Sequence, residues 1–595
     1  MALIEVQGLS VRYPRASQQA LHDLSFGVER GETLLILGPS GSGKSTIGLC
    51  LAGLIPNSVP AGMEGRIGMA GRDASEMTVG ERSAAIAMVF QDPDAQFCML
   101  TVEDEVAFGL ENLAVPVEVM ESRIMQALAL VGLDDRRHER VDRLSGGQKQ
   151  RLALACVLAR EPSILFLDEP TSNLAPATRH SFFQLLRTLR RERPELTLII
   201  IEHVLDDLIE IVDRILVLTP AGQLLTIGAP SEVFDLRDQE LDQLGIWLPQ
   251  VTALGRKLRL AGVPVERLPL TVEGAVGVFE PLLAHRSLVP GEGGKPRVPM
   301  VGPAFGKELS AISVRDLSFR YGSGPEVLTR VSLDVPTASF FALVGPNGSG
   351  KTTLASHFVE ILRPPIGSVH VLGDDITQLT TAQITDRVGY VFQNPEHQFV
   401  EQRVEEELAY SLRLRRRPLD EIEATVDRFL DIFGLAPYRK LNPFSLSQGQ
   451  KRRLSVATML ALGQSILVLD EPTFGQDRNT AKALMERLNA LHRDGVTVFV
   501  ITHDMQLVAD YAQQVAVLVE GEIRFIGPTS MFFANQALLH EASLQSLPLH
   551  DLAREMGIAY ADGTLPMSLR DWYPFFGVEA ASLPEDVQPL GEEAT

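Results

Sequence analysis

Short apolar runs closed by glycine or proline punctuate the chain, and stretches with helical spacing follow them. TLLILG (33–38) and SILFLDEP (163–170) are too short for helices and too uniformly apolar for half-exposed strands. They predict strands buried on both faces, as in a parallel sheet. STIGLCLAGLI (45–55) and GGQKQRLALACVLAR (146–160) read as helices packed beside them. The fold class is therefore α/β. One stretch breaks the pattern: VPGEGGKPRVPMVGPAFG (289–306) is rich in glycine and proline and poor in core-forming aromatics, and is expected to be a flexible linker. The segments 244–283 before it and 547–572 near the end of the chain read as short helical extensions.

The same pattern occurs twice. LILGPSGSGKST (35–46) matches ALVGPNGSGKTT (342–353), 307 positions on. AMVFQDPDAQF (87–97) matches GYVFQNPEHQF (389–399), LSGGQKQR (144–151) matches LSQGQKRR (446–453), and ILFLDEPT (164–171) matches ILVLDEPT (466–473), each 302 apart. LIIIEH (198–203) matches VFVITH (498–503), 300 apart. Five blocks in one order at a nearly constant offset mean a duplicated domain. The expected organisation is a first domain over 1–235, a helical extension over 236–288, a linker over 289–310, a second domain over 311–535 and a C-terminal helical extension over 536–595.

Composition changes this picture only by exclusion. A chain of 595 residues exceeds one core. With 54 Lys and Arg against 76 Asp and Glu, the formal charge is −22, which disfavours a nucleic-acid surface. The three cysteines, Cys50, Cys98 and Cys156, have neither metal-ligand nor paired spacing, fit a reducing compartment and are expected to serve as packing. No apolar run of about 18 residues is present, so no transmembrane helix is expected, and the start of the chain does not read as a signal peptide. The basic run RLRRR (413–417) is expected to be a solvated helix face.

The chemistry sits at the strand ends. Gly38 to Ser45 fits G-x-x-x-x-G-K-[ST], a loop whose backbone N–H groups point at phosphate at a helix start. Gly38, Pro39, Ser40, Gly41, Ser42, Gly43, Lys44, Ser45 and Thr46 are candidate nucleotide contacts. So are Gly345, Pro346, Asn347, Gly348, Ser349, Gly350, Lys351, Thr352 and Thr353. Lys44 and Lys351 suit the phosphates, and the Ser45 and Thr352 hydroxyls suit Mg²⁺. Asp168 and Asp470 end buried strands, where a carboxylate suits Mg²⁺ beside a triphosphate. Glu169 and Glu471 follow as candidate general bases or water-positioning groups; an acidic helix cap is the structural alternative.

Taken together, these blocks resemble those of ABC-type ATPases, with LSGGQ and LSQGQ as the signature motif, over essentially both halves. The resemblance implies two tandem P-loop nucleotide-binding domains. Each would have a RecA-like α/β core, an antiparallel β subdomain and a helical signature subdomain, with small helical extensions added. It implies ATP and Mg²⁺ as ligands and intramolecular pairing of the domains, each signature completing the other domain's site. Ser145, Gly146, Gly147 and Gln148, and Ser447, Gln448, Gly449 and Gln450, would then meet nucleotide. Gln448 in place of Gly146 is tolerable only if that position faces away from phosphate. Gln91 and Gln393 match the Q-loop glutamine near the metal and the attacking water. His203 and His503 match the switch histidine. Tyr13 and Tyr321 match the aromatic that stacks on adenine, although either could instead pack on the core. Ala175 stands where the family has an aspartate that the second half keeps as Asp477, so both sites are expected to hydrolyse ATP, at different rates.

After each glutamine, Q-[DN]-P-x-x-Q-F and V-E-[DE]-E resemble the ATPases of energy-coupling factor (ECF) importers, particularly the fused version, some members of which are linked to thiamine-precursor uptake. That resemblance implies a peripheral subunit at the cytoplasmic face of a prokaryotic membrane. It would power uptake of a vitamin or precursor, thiamine-related compounds included, or of a transition-metal ion. An integral membrane coupling subunit and a separate membrane capture subunit would be its partners, and nucleic acid would not. The alternative is the tandem ATPase of a sugar-type importer, whose glutamine loops do not usually carry the P-x-x-Q-F continuation. A ribosome-associated ABC protein would need a basic linker, and a DNA-repair ATPase would need zinc-site cysteines or a long coiled coil.

Overall fold

The computed structural model describes residues 2–14, 16, 18–172, 174, 176–284, 310–473 and 478–579. Nearly all of the expected linker, together with Ala175 and Asp477, lies outside them. The chain divides into two compact units, Met1–Phe279 and Glu280–Thr595.

The first unit contains strands β1 (Ile4–Arg12), β2 (Leu21–Val28), β3 (Thr33–Leu37), β4 (Gly62–Met69), β5 (Arg72–Asp73), β6 (Ile86–Val89), β7 (Ile164–Asp168), β8 (Thr197–Ile201), β9 (Arg214–Leu218) and β10 (Leu224–Gly228). They form two sheets, ordered β2-β1-β4-β5 and β10-β9-β3-β8-β7-β6. The larger is parallel except at its β9–β10 edge, and every residue of β3, β7 and β8 is buried. Such strands have helices or a second sheet on both faces, which explains their continuous apolar composition. In the antiparallel sheet β1 alternates, with Ile4, Val6, Leu9 and Val11 facing the core. Helices Val102–Asn112, Val117–Val131 and Gly146–Leu158 form the helical part of this unit.

The second unit repeats the plan with β11 (Ser310–Arg320), β12 (Glu326–Pro336), β13 (Phe340–Val344), β14 (Val369–Val371), β15 (Asp374–Asp375), β16 (Val388–Val391), β17 (Ile466–Asp470), β18 (Thr497–Ile501), β19 (Gln514–Val519) and β20 (Glu522–Pro528). Their orders, β12-β11-β14-β15 and β16-β17-β18-β13-β19-β20, match those of the first unit. Helices Val404–Leu414, Leu419–Ile432 and Gln448–Leu460 correspond to the helical part. The α/β reading and the antiparallel and helical additions are thus all present.

Each unit ends in short helices. In the first, Gln250–Leu260 is tied inward by the Gln250 backbone N–H donating to Asp206 (2.8 Å) and by Arg256 pairing with Asp242 (2.9 Å). In the second, Leu569–Trp572 buries Trp572 completely. The basic run is partly neutralised: Arg415 pairs with Asp386 (3.0 Å) and Arg417 with Glu421 (3.5 Å). Among the described residues no helix is long and apolar enough to cross a membrane.

The helix behind each phosphate loop packs on the strand that ends in the aspartate, and the two units solve this contact differently. A β-carbon on Gly48 would lie 2.5 Å from the Phe166 ring, closer than real contacts allow. The second unit has Ala355 and Val468 at these positions, both fully buried in one cluster. Gly48→Ala should therefore destabilise the first unit by about 1–3 kcal/mol through overpacking. Adding Phe166→Val should recover part of that loss, because residues in contact couple. Urea unfolding of the full chain measures both, and strictly additive costs would contradict this packing.

Candidate functional site

The phosphate loops come first, because β3 and β13 deliver them. Gly41 and Gly43 adopt φ of 80° and 89°, backbone that favours glycine. A β-carbon on Gly43 would lie 2.3 Å from the Ala20 carbonyl. Lys44, only 7% exposed, curls back to donate to the carbonyls of Gly38 (2.8 Å) and Pro39 (2.9 Å). Lys351 does the same with Gly345 (2.9 Å) and Pro346 (2.8 Å), and burial lowers its pKa against the charges of Glu471 and Asp470. The buried hydroxyls of Ser42 and Ser349 have no hydrogen-bond partner. An orphaned hydroxyl and a lysine capping its own loop fit a cradle for anionic oxygens. Tyr13 and Tyr321 stand beside the loops, their hydroxyls 3.1 Å and 3.2 Å from those of Thr46 and Thr353. Tyr321 is exposed and sets its ring edge-on to Phe319.

The acidic pairs lie at the carboxyl ends of β7 and β17. Thr352 donates to Asp470 (2.7 Å), and Ser45 is hydrogen-bonded to Asp168. Burial raises the pKa of both aspartates, only partly offset by those hydroxyls, and the adjacent glutamates push in the same direction. A buried carboxylate beside a hydroxyl is an oxygen donor set suited to a hard cation, which would restore the ionised form. Among the described residues no group of three or more His, Cys, Asp or Glu side chains could hold a metal unaided. A metal here would need oxygens from a ligand as well.

Glu169 and Glu471 sit on left-handed backbone, with φ of 44° and 48°. Such strain costs on the order of 1 kcal/mol and persists only where surroundings enforce it. Here each glutamate N–H continues the sheet, donating to Ile201 (3.0 Å) or Ile501 (2.9 Å). In the first unit His203 Nε2 lies 2.9 Å from one Glu169 oxygen, and Gln91 donates to the other at 2.9 Å. Burial alone would raise the Glu169 pKa. The His203 hydrogen bond and the charges of His203 and Lys44 outweigh it and hold the carboxyl below its usual value. In the second unit His503 presents Nδ1 to Glu471 at 2.8 Å, and Thr502 reaches the other oxygen at 3.4 Å. Gln393 makes no such bond to Glu471 among the described residues.

Ser145 and Ser447 cap the signature helices by reciprocal bonds with Gln148 and Gln450. A β-carbon on Gly146 would meet nothing within 4 Å, so the position tolerates a larger residue, as its counterpart Gln448 requires. Gly147 is different: its β-carbon would fall 2.5 Å from Thr178 Cγ2, and that of Gly449 2.9 Å from Thr480 Cγ2.

Several residues escaped the sequence reading. Glu202 stands where the second unit has Thr502. It is buried and accepts from Thr171 (2.8 Å) and from the His203 backbone (3.0 Å), so it orients the histidine's loop. The P-x-x-Q-F glutamines are structural: Gln96 bonds Phe90 and Met88, and Gln398 bonds Ser455 and Thr458. The last acid of V-E-[DE]-E also has a local task. Glu105 accepts the N–H groups of Cys98 and Met99, and Glu407 those of Val400 and Glu401. Cys50 packs as expected, and burial pushes its thiol up to about 12. Cys156 is raised by burial and by the Glu105 charge. Cys98 is exposed, contrary to the packing role expected for it, because Glu105 holds its backbone at the surface of a loop.

Two outcomes follow from this geometry. Gly146→Ala should leave thermal stability unchanged, whereas Gly147→Ala should lower it, since the new methyl meets Thr178; equal effects would refute the asymmetry. A carboxyl with a lowered folded pKa adds stability above its unfolded value, and that stability is lost as pH falls through the folded value. The stability gap between the native protein and Glu169→Gln should therefore narrow below about pH 4.5. A gap independent of pH, read from thermal midpoints between pH 7 and 4, would contradict the ionised Glu169.

The family model described as ABC transporter matches residues 21–172 and 328–474. A "Putative ABC transporter ATP-binding protein" of Methanosarcina mazei is 38% identical over 549 residues, spanning 91% of this chain and 92% of that one. The "Putative HMP/thiamine import ATP-binding protein YkoD" of Bacillus subtilis is 38% identical over 548 residues, spanning 92% and 95%. The solved structure of cbiO1 from Clostridium perfringens, described as part of the ABC transporter complex cbiONQ, is 28% identical. It covers 42% of this chain and 100% of that one, with a TM-score of 0.37. Two phosphate loops, two Asp-Glu pairs and relatives matched over nine-tenths of the length leave one assignment: the chain belongs to the ABC transporter family, as a tandem ATP-binding protein and an ATPase.

Proposed function

We propose that the chain is the ATP-hydrolysing subunit of an energy-coupling factor type importer, with a thiamine-related vitamin or precursor as the substrate class. The observation that carries this reading is the end-to-end similarity to a protein named for HMP/thiamine import, spanning 92% of this chain and 95% of that one. The glutamine-loop continuations Q-[DN]-P-x-x-Q-F support it. The working site is the cytoplasmic face of a membrane, where an integral coupling subunit and a substrate-capture subunit complete the transporter.

In each unit the phosphate loop holds ATP, with Lys44 and Lys351 leaving their own loop carbonyls to pair with phosphate oxygens. Glu169 and Glu471 orient the attacking water and take up its proton as it attacks. His203 and His503 position those glutamates and respond to the terminal phosphate. Mg²⁺, held by Ser45 and Asp168 or by Thr352 and Asp470, with Gln91 and Gln393 close by, would neutralise charge on the phosphates. Ser145, Gly147, Ser447 and Gly449 are assigned as further nucleotide contacts.

With Glu169 and Glu471 both changed to Gln, the purified chain should bind ATP yet lose turnover by about 100-fold or more. Substrate identity is tested by co-purifying the complex from membranes and analysing its bound small molecule by mass spectrometry. Recovery of a sugar or a metal ion in place of a thiamine-related compound would overturn the substrate class.

A further inference from the structure

The two units carry nearly the same signature helix but differ at its fifth residue. Gln150 stands in the first and Arg452 in the second. Both side chains are buried, at 2% and 3% exposure. Arg452 extends from the helix to the loop that follows β16, where Nη1 donates to the Phe392 carbonyl and Nη2 to the Gln393 carbonyl. Two donors in a planar fork, set on consecutive carbonyls, fix a backbone segment in position and orientation. In the first unit Gln150 Nε2 is buried with no hydrogen-bond partner. An ion pair links helix and loop in both units, Lys149 with Asp94 and Lys451 with Glu396, each at 2.6 Å. The second unit adds Gln398, which bonds Ser455 and Thr458 on the helix. Gln398 and the guanidinium are thus what the second unit adds, and of the two the guanidinium is the one that grips Gln393 itself. Burial lowers the Arg452 pKa, and the charges of Asp470 and Glu471 offset part of that cost.

We propose that Arg452 is a positioning residue of the second unit's nucleotide site, fastening the Gln393 loop to the helix that Ser447 opens. The first unit lacks this fastening because Gln150 cannot span to two carbonyls. The Gln393 loop is thereby fixed to its signature helix at Gln393 itself, whereas the Gln91 loop is tied to its helix three residues farther on, through Asp94 and Lys149, and the Gln91 side chain bonds Glu169. The two ATP sites differ in stiffness as well as in the residues facing nucleotide. This inference rests on the reading of Gln393 as part of the ATP site.

The test uses the full chain with Arg452→Gln, Arg452→Lys and Gln150→Arg, read by amide hydrogen exchange and steady-state ATPase kinetics. In Arg452→Gln, amides of the segment 392–399 should exchange at least about tenfold faster, with strand β17 unchanged. Its kcat should fall several-fold while KM for ATP stays within about twofold. Arg452→Lys should restore part of both, since an ammonium can still reach a carbonyl. Gln150→Arg should slow exchange in 90–97, which keeps the proposal open to refutation even if Arg452→Gln does not fold. Unchanged loop exchange and kcat in folded Arg452→Gln would overturn the proposal. So would faster exchange spread evenly over the second unit, which marks a purely structural role. If the unmodified chain binds no ATP, the underlying reading fails instead.

Discussion

A charged group in a protein interior persists only where oxygen or nitrogen surrounds it on every side. Lys44 and Lys351 meet that requirement with carbonyls of their own loops, whereas the hydroxyl that follows each lysine meets it only in part for Asp168 and Asp470, whose pKa burial still raises. In each unit these groups gather at the carboxyl ends of the buried parallel strands of its larger sheet. Those ends are the natural place for them: strand termini there release backbone groups, and the following helix begins with free N–H donors. The left-handed Glu169 and Glu471 are the next step outward, held by one more sheet hydrogen bond each. Remove the sheet register and lysine, aspartate and glutamate lose their common origin.

Around that shared centre the two units have drifted in compensated pairs. Gly48 and Phe166 exchange bulk with Ala355 and Val468. Glu202 orients the histidine's loop from behind in one unit, while Thr502 reaches the glutamate directly in the other. His203 and His503 present different ring nitrogens to equivalent carboxylates. Each change keeps the same atoms near the strand ends and alters what braces them. Duplication has preserved the chemistry more strictly than its scaffolding.

The sequence made the α/β sheet legible because strands such as TLIII admit no solvated face, and made the phosphate loop legible because lysine after glycines has few other uses. Gly146 against Gln448 was posed as a question by sequence, and the open space around the glycine shows that its own unit leaves room for a side chain there. Three features needed coordinates. The glutamine and final acid of the loop continuation proved to be local braces, since nothing in one-dimensional spacing shows that Glu105 folds back onto Cys98 and Met99. Glu202 and Arg452 differ from their counterparts by a single letter, and only burial reveals how much depends on it. The antiparallel sheet joins β1 to β4 across a long stretch of chain, a pairing that local hydrophobic patterning does not specify.

Cysteine placement has a practical consequence. Two of the three thiols are suppressed by their apolar or acidic surroundings, while Cys98 stands in solvent seven residues beyond Gln91. Alkylation needs a thiol that solvent can reach, so maleimide dyes should attach at the exposed Cys98 without any engineering. The unaltered polypeptide thus carries a built-in spectroscopic handle beside one of its two glutamine loops.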